Sequence, residues 1–241
     1  MATTPQTSWQ PIPFGRPDTV PAARPVTRER EIRESFSSLT DRFAIQQLGE
    51  LVQKVYLPGH RGGHRHVAFS SLENTGMRPW LSARIAEILA QQVAESVCLV
   101  EVDSRAGLSS ELAAQYSSPP ISPVHDLTYK ASRNLWVCPA DRFLREDTWS
   151  PKSDLVRLRL GRLRREFGYL VIHAPALGAG EEAVLLGQLA EGMVLVLEAN
   201  VTRRAAAVRA TQMLRSAGVS LLGTVLDQRT FPVPESIYRR V

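Results

Sequence analysis

Residues 70–90 read SSLENTGMRPWLSARIAEILA, and they follow the apolar run Val67, Ala68, Phe69. A short apolar run, a polar turn and a helix with Ile85, Ile88 and Leu89 on one face make the strand–loop–helix order of a phosphate-binding element. The turn lacks the matching chemistry. It holds one glycine, Gly76, no Gly-Lys-Ser, and a proline, Pro79, where a hydroxyl would ligate a metal ion. The glycines of such a turn let successive N–H groups point at phosphate. Thr75 and Met77 restrict that freedom here.

The same alternation continues along the chain. Strands are expected at 66–70, 96–102, 135–138, 169–173, 193–198 and 220–226, and helices at 80–93, 151–166, 181–189 and 202–216. Thr202 is the expected cap of the last helix, and Gly218 its stop. Most strand runs are continuously apolar rather than alternating, so both their faces should be buried, as in a parallel sheet. The expectation is a single α/β domain over 29–241: a three-layer α/β/α sandwich with a mostly parallel sheet. Upstream, residues 29–57 carry Phe36, Leu39, Phe43, Leu48, Leu51 and Val52 at helical spacing, and Pro58 with the following glycines ends that segment. Residues 1–28 are rich in proline and threonine without periodicity and are expected to be a disordered tail.

Composition narrows the class. Of 241 residues, 44% are apolar and 22% charged, as in an ordinary globular protein. The formal charge is +5, carried almost wholly by arginine. Such an excess points only weakly to nucleic acid, and it suits an acidic protein surface or an anionic membrane face equally. Cys98 and Cys138 lie in apolar runs and read as buried free thiols of a reducing compartment. No run approaches the roughly 18 apolar residues of a membrane span, and the first residues show no secretory h-region. A cytoplasmic protein is expected.

Ligands of such folds sit at the carboxyl ends of the strands. After the second strand comes LVEVDSRAG, with Glu101, Asp103 and Arg105 at alternate positions. The fourth opens YLVIHAPALGAGEEAVLLGQLAEGMVLVLEANVTRRAAAVRATQMLRSAGVSLLGTVLDQ, residues 169–228. With these stretches the sequence resembles the bacterial tyrosine kinase family, MinD-like P-loop proteins that control export of capsule and exopolysaccharide. ESFSSLTDRF (34–43), LWVCPAD (135–141) and RIAEILA (84–90) match that family's first helix, its LxVLPAG strand and the helix behind its P-loop. The resemblance runs in order over about 31–228.

The resemblance implies a nucleotide site whose residues are altered. Arg78 falls at the P-loop lysine, Met77 at the glycine before it, and Pro79 and Trp80 at the Ser-Thr pair. In a second register Gly76 takes the glycine position and Met77 the lysine. Glu101 replaces the first aspartate of the family's Asp-x-Asp, while Asp103 and Arg105 are retained. His173 replaces the Walker B aspartate, and Asp227 the asparagine that reads adenine. Neutral imidazole brings no negative charge for Mg²⁺, and hard cations prefer oxygen. Phosphoryl transfer rests on positioning and charge neutralisation at the phosphates. The resemblance therefore implies a degenerate site with no catalytic residue, no metal and no cofactor. The implied role is a non-catalytic scaffold or regulator of exopolysaccharide synthesis and export. The alternative is a divergent but active autokinase or ATPase of that pathway, using ATP and Mg²⁺.

The implied partners are a membrane polysaccharide co-polymerase or adaptor, or an active tyrosine kinase, which would hold the chain at the inner face of the cell membrane; no nucleic acid is implied. The family's ring-forming Glu-x-x-Arg-x-x-Arg aligns on Glu34 but meets Ser37 and Thr40, so a monomer or small oligomer is expected. Three further features read plainly. His60, His64 and His66 in GHRGGHRH suit a solvated basic loop better than a metal site. VRLRLGRLRRE (156–166) reads as a surface helix with its arginines in water. Tyr238 stands alone where the family has a tyrosine-rich tail.

Overall fold

Long runs of valine, leucine and isoleucine without alternation cannot leave one face in water, and the strands they form lie at the centre of the fold. The computed structural model describes residues 42–57, 63–72, 79–102, 126–145 and 152–227. The elements are α1 (Arg42–Tyr56), β1 (His66–Ser71), α2 (Pro79–Gln92), β2 (Val97–Glu101), β3 (Tyr129–Lys130), β4 (Leu135–Cys138), α3 (Ala140–Phe143), α4 (Lys152–Glu166), β5 (Tyr169–His173), α5 (Glu182–Leu189), β6 (Gly192–Glu198), α6 (Arg204–Ser216) and β7 (Leu221–Asp227). Apart from Arg42 they belong to one unit, Phe43–Val241.

The seven strands run in the order β3-β4-β2-β5-β1-β6-β7. Every pairing is parallel except that of β3 with β4. Every residue of β1, β2 and β5 is buried. One face of the sheet receives α2, through Ile85 and Leu89, and α1, whose Tyr56 ring stacks on Phe69. The Tyr56 hydroxyl donates to the Leu170 carbonyl at 3.3 Å. The opposite face carries α4, α5 and α6 on a single apolar cluster that includes Cys98, Cys138, Ile172, Leu160, Leu186 and Leu214. Burial pushes both cysteine thiols up, which keeps them protonated. The expected three-layer α/β/α sandwich is therefore present.

Strand and helix ends differ from expectation by a residue or two. Two elements were not anticipated, β3 and α3, whose two and four residues are too short to show a period. Thr202 does not cap α6. Its hydroxyl instead accepts the Glu198 N–H at 3.0 Å, and Arg203 holds the N-cap position with no side-chain bond. Gly218 does end α6, with φ of 74°. The Gly218 N–H reaches the Arg215 carbonyl, and the Val219 N–H reaches that of Leu214, a Schellman closure. The arginines of α4 are not all in water either. Arg159 is buried, and its guanidinium donates to the carbonyls of Phe143 and Arg145, both at 2.6 Å. It thereby closes the C-terminal end of α3, where unpaired carbonyls favour a cation.

His66 is likewise no loop residue. It begins β1 and is buried, with Nδ1 3.0 Å from Glu191 Oε1 and 3.1 Å from Arg164 Nε. With a proton on Nδ1 it donates to the carboxylate; without one, it accepts from Arg164. Glu191 Oε2 also accepts the Arg65 N–H at 2.7 Å. Burial lowers the His66 pKa, and the Arg164 charge lowers it further, against the pull of Glu191. Burial pushes the Glu191 carboxyl up, but the Arg65 N–H and the neighbouring cations outweigh it and leave its pKa lowered.

Unfolded histidine titrates near 6.5. Below that pH the unfolded chain binds a proton that folded His66 resists, so stability falls as the pH drops. The urea midpoint should decrease between about pH 7.5 and about pH 5.5, and it should decrease less in His66→Gln. An equal decrease in both proteins would refute this assignment.

Candidate functional site

The carboxyl ends of β1, β5 and β2 lie side by side, and two polar residues meet there. Glu101 ends β2 and His173 ends β5, and the two are register partners. Their side chains therefore project from the same face of the sheet. Glu101 is 2% exposed and His173 is also buried. The strand ends are tied further by the Val102 N–H to the His173 carbonyl, 2.9 Å.

The third residue comes from α2. Ser82, Ile85, Ala86 and Leu89 fall at i, i+3, i+4 and i+7, and all four are buried. Ser82 is the polar member of this stripe. Its Oγ shares a 2.7 Å hydrogen bond with His173 Nδ1. Sequence reasoning missed Ser82 because it looked for a hydroxyl in the loop, at the position of Pro79. The available signal was a serine on the apolar stripe of a helix that packs on strand ends.

The turn after β5 closes the same edge. The Ala174 N–H donates to the Phe69 carbonyl, Ser70 Oγ donates to the Pro175 carbonyl at 2.6 Å, and the Leu177 N–H donates to the Ser71 carbonyl. These bonds hold β1 against the segment that follows β5.

Mg²⁺ demands near-ideal octahedral oxygen geometry. Among the described residues at this edge Glu101 supplies a carboxylate, while His173 supplies an imidazole whose Nδ1 is engaged by Ser82 Oγ. Among the described residues no three histidine, cysteine, aspartate or glutamate side chains converge on a metal position.

Asp227 lies at the end of β7, three strand spacings from β5, roughly 14 Å away. Its main-chain carbonyl accepts the Ala199 N–H, and its Oδ2 is buried. Of the seven expected site residues the structure thus brings Glu101 and His173 together and sets Asp227 apart. Gly76, Arg78, Asp103 and Arg105 lie outside the described residues, as do His60, Ser37, Thr40, Tyr238 and the tail 1–28. A half-open cavity of about 800 Å³ lies elsewhere, between α2 and the turn before β4, lined among others by Glu87, Gln91, Arg133 and Asn134. It sits at the amino ends of β2 and β4.

No family model matches the chain, and no curated protein matches it in sequence. Solved structures do match in fold. The VpsO kinase domain superposes with a TM-score of 0.61 at 19% identity, over 84% of this chain and 99% of that one. The BceF tyrosine kinase domain gives 0.59 at 20% identity, over 83% and 87%. The cell division protein MinD of Aquifex aeolicus gives 0.53 at 17% identity, over 72% of each chain. The chain therefore has the P-loop NTPase-like fold of bacterial tyrosine kinase domains and MinD, as the sequence pattern implied.

Ser82→Ala should destabilise the protein by about 1–3 kcal/mol, because it strips the partner from a buried imidazole nitrogen. The double variant Ser82→Ala/His173→Leu should lose less than the sum of the two single changes. Urea unfolding of the four proteins measures that coupling, and strict additivity would show that the 2.7 Å bond carries no energy.

Proposed function

We propose that this chain is a non-catalytic relative of the bacterial tyrosine kinases, acting as a scaffold or regulator in exopolysaccharide synthesis and export. The observation that carries this reading is the Ser82–His173 bond. In a working phosphate site a helix hydroxyl and a strand-end carboxylate act on a hydrated Mg²⁺. Here the strand-end group is an imidazole, and it is bonded directly to a helix serine. That bond joins α2 to β5 without a nucleotide, so the sheet edge is held in one arrangement whatever the nucleotide concentration.

A scaffold gains from this arrangement. A surface organised without ATP presents the same shape to its partner at all times. On this reading the partner is the cytoplasmic part of a membrane polysaccharide co-polymerase, or an active tyrosine kinase of the same system. The likeness in fold to the VpsO and BceF kinase domains supports the choice of pathway. The absence of an oxygen ligand at residue 173 supports the non-catalytic role.

Mg-ATP should leave the melting temperature unchanged. A ligand at a hundred times its Kd would add about 2.7 kcal/mol, which for a domain of this size is a rise of roughly 5–10 °C. A rise of that size, lost in His173→Leu, would overturn the proposal. Export should also survive Glu101→Gln in a strain carrying that chain as its sole copy. Loss of export with the melting temperature intact would instead point to a working carboxylate.

A further inference from the structure

The outer surface of α6 combines two things a solvated helix has no need to combine. Its sequence, RAAAVRATQMLRS, contains no acidic residue. Arg204, Arg209 and Arg215 are exposed and form no ion pair among the described residues. Between them Val208 is 47% exposed and Met213 43%. Helical spacing sets Arg204, Val208 and Arg215 on one flank of the exposed side and Arg209 and Met213 on the other. Each aliphatic side chain therefore stands one turn from a guanidinium, on the side opposite the buried Ala210 and Leu214.

Farther along the same layer, beyond α5, α4 packs on the same apolar cluster, and it turns Arg157 and Leu158 outward, the latter 60% exposed. The intervening α5 carries Glu182 and no basic residue, so the cationic surface with aliphatic groups set among its charges is that of α6 itself.

We propose that the outer face of α6, with Arg204, Arg209 and Arg215 around Val208 and Met213, docks this chain directly on an anionic lipid surface. Arginine stems lie along apolar surroundings while their forks reach phosphate oxygens two at a time. The aliphatic side chains enter the headgroup boundary, and unpaired cations are drawn to the negative leaflet. Neither α4 nor α6 carries an aromatic ring on which a base could stack, so a nucleic acid is the poorer fit. This surface is independent of the nucleotide end, and its failure would leave the proposed role untouched.

Sedimentation of the full chain with phosphatidylcholine vesicles, with and without phosphatidylglycerol, tests it. The protein should pellet with the anionic vesicles, stay in solution with the neutral ones, and be released as salt is raised. Arg204→Gln/Arg209→Gln/Arg215→Gln should weaken partitioning roughly hundredfold. Val208→Ser/Met213→Ser should weaken it less, with the salt dependence preserved. Circular dichroism should show both variants folded. Equal pelleting with the two kinds of vesicle, or wild-type partitioning by the triple variant, would overturn the proposal. So would capture of a DNA duplex at concentrations where anionic vesicles capture nothing.

Discussion

A parallel sheet leaves the carboxyl ends of its strands as an open edge, and here the bond between Ser82 and His173 closes it. A P-loop fold ordinarily completes this edge with phosphate and metal. In this chain one imidazole and one hydroxyl, 2.7 Å apart in a buried setting, supply the link between helix and strand. A hydrogen bond of this kind contributes perhaps 1 kcal/mol net, but leaving either partner unpaired in the interior costs up to about 3. The penalty for opening, more than the reward for closing, fixes the arrangement. Ser70 on the Pro175 carbonyl and Leu177 on that of Ser71 extend the same closure to β1.

The sheet was legible in the sequence because burial on both faces demands uninterrupted apolar runs, and β1, β2, β5 and β6 are such runs. The stop of α6 was legible because Gly218 needs a positive φ. What stayed hidden depended on partners far away in the chain. His66 looked like part of a solvated loop because Glu191 is 125 positions further on. Arg159 looked solvated because the carbonyls it satisfies belong to α3, an element too short to leave a pattern. Ser82 escaped because a serine inside a helix is common, and only its packing on His173 gives it a meaning. At the site, the strand ends Glu101 and His173 were visible as departures from a motif, and the bond from His173 to Ser82 was not.

Two groups of arginines among the described residues differ physically. Arg159 and Arg164 point inward and are satisfied by main-chain carbonyls at 2.6–2.8 Å. They hold the short α3 and the turn after α5 in place, and a lysine would not reproduce the two-pronged geometry of Arg159. The arginines of α6 do no such work. Arg204, Arg209 and Arg215 are exposed and form no ion pair among the described residues. Their charge acts outward, on whatever approaches the helix layer.

On the reading proposed above, an internal hydrogen bond holds the strand edge and the fold does not depend on nucleotide for its shape. The turn after β1 is then free of the demands of phosphoryl transfer, and a proline at residue 79 suits the start of α2. The demands that remain are those of packing and of the outer surface. A chain under those demands alone keeps the apolar runs that build the sheet and the charge that faces outward, and it retains little else of the P-loop. The pattern in this sequence has that form, with intact β1, β5 and β6 beside an altered turn, and arginines on α6 that form no ion pair among the described residues.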